Sequence, residues 1–165
     1  KESSAASDVY KRQEWTPVGP SSYELLYRSG AGLMPRPLRR IASGGELSRV
    51  MLASKVVLGN ADGVDTLVFD EVDAGVGGST ARALAGVLAD LAATHQVIVV
   101  THLAQVAVMA DKHYVVSKEP GDVPQTHLDE VTGEARTAEI ARMLSGDQSE
   151  ASLAHAKQML EEARG

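Results

Sequence analysis

Residues 66 to 71 read Thr66-Leu67-Val68-Phe69-Asp70-Glu71, a short apolar run that ends abruptly in two acids. A second run, Val97-Ile98-Val99-Val100, lies within the stretch from Gln96 to Thr101. Continuous rather than alternating apolar runs are typical of strands covered on both faces, as in a parallel sheet with helical crossovers. The sequence therefore predicts an α/β fold with a mainly parallel sheet, helices on both faces, and an edge strand or hairpin.

Two helices are predicted around the first run. Ser43 is a good N-cap and Glu46 follows three residues later, which is the capping-box arrangement. The helix then carries an apolar stripe at helical spacing and ends at Gly59-Asn60; the stripe consists of Leu47, Val50, Met51, Val57 and Leu58. After the glycine-rich turn from Gly75 to Gly78, Ser79 is a candidate cap for a helix that carries Leu84, Val87, Leu88 and Leu91.

The other segments are assigned from the same signals. Residues 1–20 are read as a loose lead-in segment and residues 21–165 as one lobe. The predicted elements are a strand at 22–28, a loop at 30–37, a short helix at 104–110, a strand at 113–117, a loop at 118–124, an edge strand at 126–131, and helices at 134–144 and 150–163, the last capped by Asp147 or Ser149.

Composition narrows the class of protein. The chain has 165 residues, 44% of them hydrophobic and 23% charged, which is ordinary for a globular domain. It contains no cysteine, which excludes disulfides and is compatible with a reducing cytoplasm. No apolar run is long enough for a membrane-spanning helix, and no signal-peptide pattern is present. The net charge of −6 argues against binding nucleic acid through bulk charge.

The charge is nevertheless uneven. Between Arg28 and Lys55 there are six basic residues and a single acid, Glu46. Such a stripe can face the phosphates of DNA, and binding would then weaken steeply with salt. A solvated basic loop, or a contact to another lobe of the same protein, explains the stripe equally well.

Three short segments carry chemistry. Asp70-Glu71 stands at the carboxyl end of a predicted strand, where ligands bind in open α/β sheets. Asp70 suits a magnesium ion held through water, and Glu71 can orient and deprotonate an attacking water. Taken alone, an acidic strand end is the simpler explanation, because apolar runs followed by acids are common.

The second segment, Ser43-Gly44-Gly45-Glu46, offers free backbone N–H groups at a helix start, which suit a γ-phosphate. A simple helix cap is the better explanation when this segment is taken alone. The third is His102, directly after the second predicted strand, where an imidazole can contact a γ-phosphate or the attacking water. A lone histidine is more often an exposed surface residue, and the other four histidines show no metal-binding spacing; they are His95, His113, His127 and His155.

The order of these segments is more specific than any one of them. In chain order they resemble the signature motif, the Walker B strand, the D-loop with Asp73, and the switch histidine of an ABC-type ATPase head. The longer segments are similar to the RecN family, SMC-like proteins of bacterial DNA double-strand-break repair; these segments are Ala42 to Arg49, Phe69 to Gly78, Thr101 to Ala107, and Glu139 to Gly146. The resemblance runs from about residue 23 to residue 163 and is weak between 118 and 130.

The resemblance implies a set of roles. Asp70 would support Mg²⁺, Glu71 would be the general base, and His102 would contact the γ-phosphate of ATP. Residues 43–46 would close over the ATP of a second head in a homodimer. DNA is the expected partner of the full-length protein, with no membrane partner and a cytoplasmic, nucleoid-associated location.

One element of such a head is missing from this sequence. A P-loop needs a lysine preceded by glycine and followed by serine or threonine, and none of the six lysines fits this pattern. In the resembled family the P-loop lies in an N-terminal lobe, beyond a long coiled coil. The chain is therefore expected to be the C-terminal half of a head, inactive as an ATPase by itself. A transporter ATP-binding subunit and a non-catalytic docking module on the same fold are the alternatives.

Overall fold

The computed structural model describes residues 24–41, 43–119 and 125–163. The described chain is a mixture of helices and short strands, which confirms the α/β class. It divides into two compact units, and the boundary in the sequence lies between residues 42 and 43. The predicted lead-in segment, residues 1–20, lies outside the described residues, so its boundary stays a prediction.

The first unit contains a small hairpin. Strand β1 (Leu26–Tyr27) pairs antiparallel with strand β2 (Arg36–Pro37), and a 3-10 turn follows at Leu38–Arg40. Within its described part, the strand predicted at 22–28 is therefore only two residues long. The last two residues of the predicted 30–37 loop form the partner strand, because the tight turn at Gly30 brings the chain back on itself.

A parallel strand pair forms the centre of the second unit. Strand β3 (Thr66–Asp70) runs beside strand β4 (Gln96–Val100), with Asp70 opposite Val100. The second described helix, α2 (Gly78–Ala92), lies between them in sequence and provides the crossover that a parallel pair requires. Both apolar runs of the sequence are thus strands that end at the same edge, as predicted. The described residues form three two-stranded sheets: the β3–β4 pair is parallel, and the other two are antiparallel.

The two faces of this strand pair differ. Leu67 and Phe69 are buried in a core with α2 and with Leu52 of the preceding helix. The opposite face carries Val68, Ile98 and Val100, which are 65%, 47% and 57% exposed. In the part of the chain that the structure describes, helices therefore cover one face of the pair, and the other face is apolar and open.

The first described helix, α1 (Gly44–Leu58), begins as predicted. Ser43 Oγ accepts a hydrogen bond from the N–H of Glu46 at 3.4 Å, and Gly59 ends the helix. The face turned inward is not the predicted apolar stripe, because Gly45 and Leu52 are buried and most of the stripe is exposed. Gly45, Arg49 and Leu52 share one face of the helix and pack towards β3 and the turn after it. The helix is therefore rotated relative to the orientation that the apolar stripe predicts.

The cap predicted for α2 is wrong. Gly77 is the N-cap and carries no side chain that could accept a hydrogen bond, and Ser79 lies inside the first turn. The core residues of this helix are confirmed at Leu84, Leu88 and Leu91, whereas Val87 is partly exposed.

The rest of the chain forms a hairpin and three helices. Helix α3 (Ala104–Ala107) is shorter than predicted, and β5 (His113–Glu119) pairs antiparallel with β6 (Gln125–Val131). Helices α4 (Gly133–Ser145) and α5 (Glu150–Glu162) pack with α3 around a second core that includes Ile140. The predicted edge strand is confirmed as β6, and Ser149 is the cap of α5. In the described residues, no helix combines the length and the apolar character needed to cross a membrane.

Candidate functional site

The candidate site lies where β3 and β4 end. Asp70 is the last residue of β3 and Glu71 follows it, both with exposed side chains. Glu71 has φ 56°, and in the described chain no other residue except glycine has a positive φ. A left-handed backbone is disfavoured for a residue with a Cβ, and such positions are concentrated at functional sites. No residue pattern around Glu71 indicates this conformation.

Side chains of α1 hold the turn that contains Glu71. Ser48 Oγ donates to the carbonyl oxygen of Asp70 at 2.6 Å. Arg49 Nη1 donates to the carbonyl oxygens of Val72 and Ala74, at 3.1 and 2.9 Å. The backbone on both sides of Glu71 is therefore attached to the first two turns of α1.

The two glycines at the start of α1 permit this close approach. A Cβ on Gly44 would lie 2.5 Å from Glu71 Oε2, and a Cβ on Gly45 would lie 2.8 Å from the carbonyl oxygen of Glu71 and from the Cβ of Ala74. Ser43 and Gly44 remain exposed, so the helix start is open to a ligand. The structure thus brings the predicted phosphate-binding segment and the predicted general base together within one chain.

Asp73 and His102 form the second part of the site. Asp73 is 1% exposed, and its Oδ2 accepts hydrogen bonds from Thr101 Oγ1 at 2.5 Å and from the N–H of His102 at 3.2 Å. The same oxygen lies 3.3 Å from His102 Nδ1, while the His102 side chain is 71% exposed. A buried carboxylate therefore fixes one nitrogen of the imidazole and leaves the ring accessible at the end of β4.

The arrangement limits how a metal could bind. In the described part of the chain, no group of three or more His, Cys, Asp or Glu side chains could hold a metal ion. A Mg²⁺ ion at Asp70 would have to keep most of its water and take its other ligands from elsewhere, which is the usual behaviour of Mg²⁺ at phosphate sites.

The basic stripe from Arg28 to Lys55 is not a uniform cationic surface. The guanidinium of Arg49 is engaged with main-chain carbonyls, so it faces inward. The arginines of the first unit are exposed, and one of them, Arg39, pairs with Glu24 at 2.7 Å. Sequence reasoning missed the role of Arg49, although its position four residues after Gly45 places both on one helix face.

The chain is similar to a class of curated proteins named as DNA repair proteins. RecN of Treponema pallidum is 51% identical over 151 residues, which is 90% of this chain and 26% of that protein. RecN of Streptomyces coelicolor is 49% identical over 150 residues, or 90% of this chain and 26% of that protein. RecN of Deinococcus radiodurans is 52% identical over 143 residues, or 86% of this chain and 25% of that protein. The chain is thus a relative of RecN over most of its length, which confirms the resemblance, and it spans about a quarter of the length of these proteins.

No family model matches the chain. A solved structure from work on the structural biochemistry of ATP-driven dimerization and DNA-stimulated activation of SMC ATPases aligns with 82% of this chain and 69% of its own, at 21% identity and a TM-score of 0.45. A TM-score this low does not establish a common fold.

Proposed function

We propose that this chain is the C-terminal half of an SMC-like ATPase head that acts in DNA double-strand-break repair. The observation that carries the proposal is the convergence of Asp70, Glu71 and the Asp73–His102 pair at the carboxyl ends of two adjacent parallel strands. This edge of an α/β sheet is where ligands bind. The sequence similarity to RecN supports the assignment to repair.

Each residue then has a defined task. ATP with Mg²⁺ supplies the γ-phosphoryl group. Asp70 would hold a Mg²⁺ ion through water, Glu71 would take the proton of the attacking water, and His102, oriented by Asp73, would contact the γ-phosphate. Phosphoryl transfer depends mainly on positioning and charge stabilisation, so this half is expected to be inactive without the segment that cradles the phosphates.

The open face of the strand pair supports a second lobe that carries the P-loop. Val68, Ile98 and Val100 form an apolar surface on one face of the strand pair, whereas Leu67 and Phe69 on the opposite face are buried. In the described residues, β4 is paired only with β3, so its other edge offers main-chain groups to a further strand. A lobe that adds a strand there and covers this face would place its P-loop beside Asp70.

A second head is the proposed partner of the start of α1. Ser43 and Gly44 are exposed, and the helix N-terminus favours an anion. With Ser43, Gly44, Gly45 and Glu46 closing over the ATP of a second copy, the two heads form a homodimer with two shared sites. Engagement of the heads would then depend on ATP.

DNA contact is proposed for the exposed arginines of the first unit. Residues 24–41 contain four arginines and one acid, Glu24. This local positive charge suits the phosphate backbone even though the whole chain is acidic. A protein with this role would act in the cytoplasm, with the nucleoid.

The decisive experiment replaces the general base in a protein that contains both lobes. Glu71→Gln should bind ATP but not turn it over, so heads remain engaged when ATP is added, and sizing with and without ATP detects this. Glu134→Gln, an exposed acid at the start of α4, is the matched control and should behave as the wild type. Unchanged turnover in Glu71→Gln, together with unchanged turnover in His102→Ala, would instead support a non-catalytic docking module.

A further inference from the structure

We propose that Arg49 is a positioning residue, which keeps the turn carrying Glu71 attached to the start of α1 so that the two move as one body. The inference rests on the proposed function of Glu71 as general base. It concerns a residue that contacts neither the nucleotide nor the water in that proposal, and it acts through main-chain carbonyls.

The contacts of Arg49 lie on the turn itself. Its Nη1 donates to the carbonyl oxygens of Val72 and Ala74, and Ser48 Oγ donates to that of Asp70. Three carbonyls that flank Glu71 therefore accept hydrogen bonds from two adjacent side chains of α1. Hydrogen bonds from a guanidinium are strengthened by its charge.

The turn needs such support because of its backbone conformation. Glu71 has φ 56°, in the left-handed region that a residue with a side chain rarely adopts. The surrounding structure must hold the residue there, and the hydrogen bonds from α1 fix the backbone on both sides. Without Arg49, the turn can relax towards ordinary φ values, and the carboxylate of Glu71 would move with it.

The coupling links two different nucleotides. In the proposed dimer, the start of α1 contacts ATP bound by the partner head, whereas Glu71 serves the ATP of its own head. Gly45 lies close to the Glu71 carbonyl, and Arg49 is hydrogen-bonded to the residues that follow Glu71. A shift of α1 on contact with nucleotide would therefore also shift Glu71. Arg49 thereby couples occupancy of one site to the geometry of the other.

Arg136 provides a matched control. Its Nη2 donates to the main-chain carbonyl oxygens of Ala107, Val108 and Ala110, at 3.2, 3.3 and 2.6 Å. It makes the same kind of contact as Arg49, from a helix to carbonyls of another segment, but at the turn after α3. Each arginine makes these contacts through one terminal nitrogen, and a lysine keeps the charge but is shorter, so its ammonium does not reach the position of that nitrogen.

The test compares Arg49→Lys with Arg136→Lys in the protein that carries both lobes. Arg49→Lys should lower kcat about tenfold to a hundredfold, the effect expected when a catalytic group is misplaced by about 1 Å. The KM for ATP should stay within about twofold, because the P-loop and nucleotide contacts are intact. Both variants should lower the melting temperature, and by similar amounts, but Arg136→Lys should leave kcat unchanged. Hydrogen exchange in a peptide covering residues 70–77 should become faster only in Arg49→Lys.

Two results would overturn the proposal: a kcat for Arg49→Lys no lower than that of Arg136→Lys, or unchanged exchange in residues 70–77. If Arg49→Lys does not fold, Ser48→Ala removes the neighbouring hydrogen bond from α1 to the Asp70 carbonyl and should lower kcat severalfold. Wild-type kcat in that variant would count against the attachment of the turn to α1. Glu71→Gln separates this failure from that of the proposed function. If Glu71→Gln is active, the assignment of Glu71 as general base is wrong. If Glu71→Gln is inactive but Arg49→Lys turns over ATP normally, only the role proposed for Arg49 is wrong.

Discussion

A single oxygen atom of Asp73 contacts His102 at two points: Asp73 Oδ2 accepts a hydrogen bond from the backbone N–H of His102 at 3.2 Å and lies 3.3 Å from its Nδ1. One buried carboxylate therefore contacts both the main chain and the ring of His102. In the proposed mechanism this leaves Nε2 as the nitrogen that can face a phosphate. In that mechanism, the proposed D-loop aspartate supports the proposed switch histidine of its own chain.

Asp73→Ala should destabilise the fold. The change removes the acceptor of the Thr101 hydroxyl and of the His102 N–H, and donors left without a partner in a buried position cost about 1–3 kcal/mol. Asp73→Asn keeps one side-chain oxygen and should cost less. Urea unfolding measures the difference, with the exposed Asp90→Ala as control. An equal, small loss in both alanine variants would contradict the structural role of Asp73.

Gly45→Ala should be destabilising, although alanine is normally the better helix former. The new Cβ would lie 2.8 Å from the carbonyl oxygen of Glu71 and from the Cβ of Ala74, neither of which is the end of a flexible side chain. Overpacking of this kind costs about 1–3 kcal/mol. Gly86→Ala, inside α2 with no atom within 4 Å of its Cβ, should instead stabilise by up to about 1 kcal/mol. Opposite signs in urea unfolding are the expected result, and equal signs would contradict it.

Asp147 should make stability depend on acid pH. Hydrogen bonds from Ser152 first, then from the N–H and hydroxyl of Ser149, and from Ser145, lower the pKa of Asp147 from 3.8 to about 2. The folded state therefore favours the ionised form, and this stabilisation is present above pH 3.8 and lost as the pH falls towards 2.

The check is the free energy of unfolding of the wild type minus that of Asp147→Asn, measured across the acid range. The difference should favour the wild type at neutral pH and shrink as the pH drops below the ordinary carboxylate range. Asp90→Asn, which alters an exposed carboxylate in α2, is the control. A pH-independent difference would show that Asp147 acts through shape rather than charge.

His113 should make stability fall in mildly acidic solution. Burial, and next the charge of Arg136, lower the pKa of His113 below its usual 6.5, while Glu139 partly opposes this. The unfolded chain therefore takes up a proton before the folded one does, so stability is complete above pH 6.5 and declines as the pH falls below that value.

His113→Gln removes this titration. Its unfolding free energy should change less than that of the wild type between about pH 7.5 and about pH 5.5. Identical slopes in the wild type and His113→Gln would refute the assignment.

Local patterns were enough to predict most elements. The runs that became β3 and β4, the cap at Ser43 and the end of α1 at Gly59 depend on neighbouring residues, and all were confirmed. The same patterns placed Asp70, Glu71 and His102 at one sheet edge, because parallel strands end together.

Contacts between distant residues were not predictable in this way. Arg49 meets Val72 and Ala74 across more than twenty residues of sequence, so helical spacing alone could not assign its partners. The rotation of α1 follows from those contacts and from the close packing of Gly45, which is why the apolar stripe is exposed. The exposure of Val68 and Ile98 likewise could not be read from two continuous apolar runs, which look the same whether or not a second layer is present.

That open face affects how the chain behaves in the laboratory. A valine and isoleucine surface next to an unpaired strand edge, as found for Val68, Ile98 and β4 in the described residues, is a template for aggregation. Purification of this stretch alone should therefore yield self-associating material unless detergent or a complementary fragment is present. Co-expression with the proposed lobe that carries the P-loop is the natural remedy, and the gain in solubility would itself report that the face has been covered.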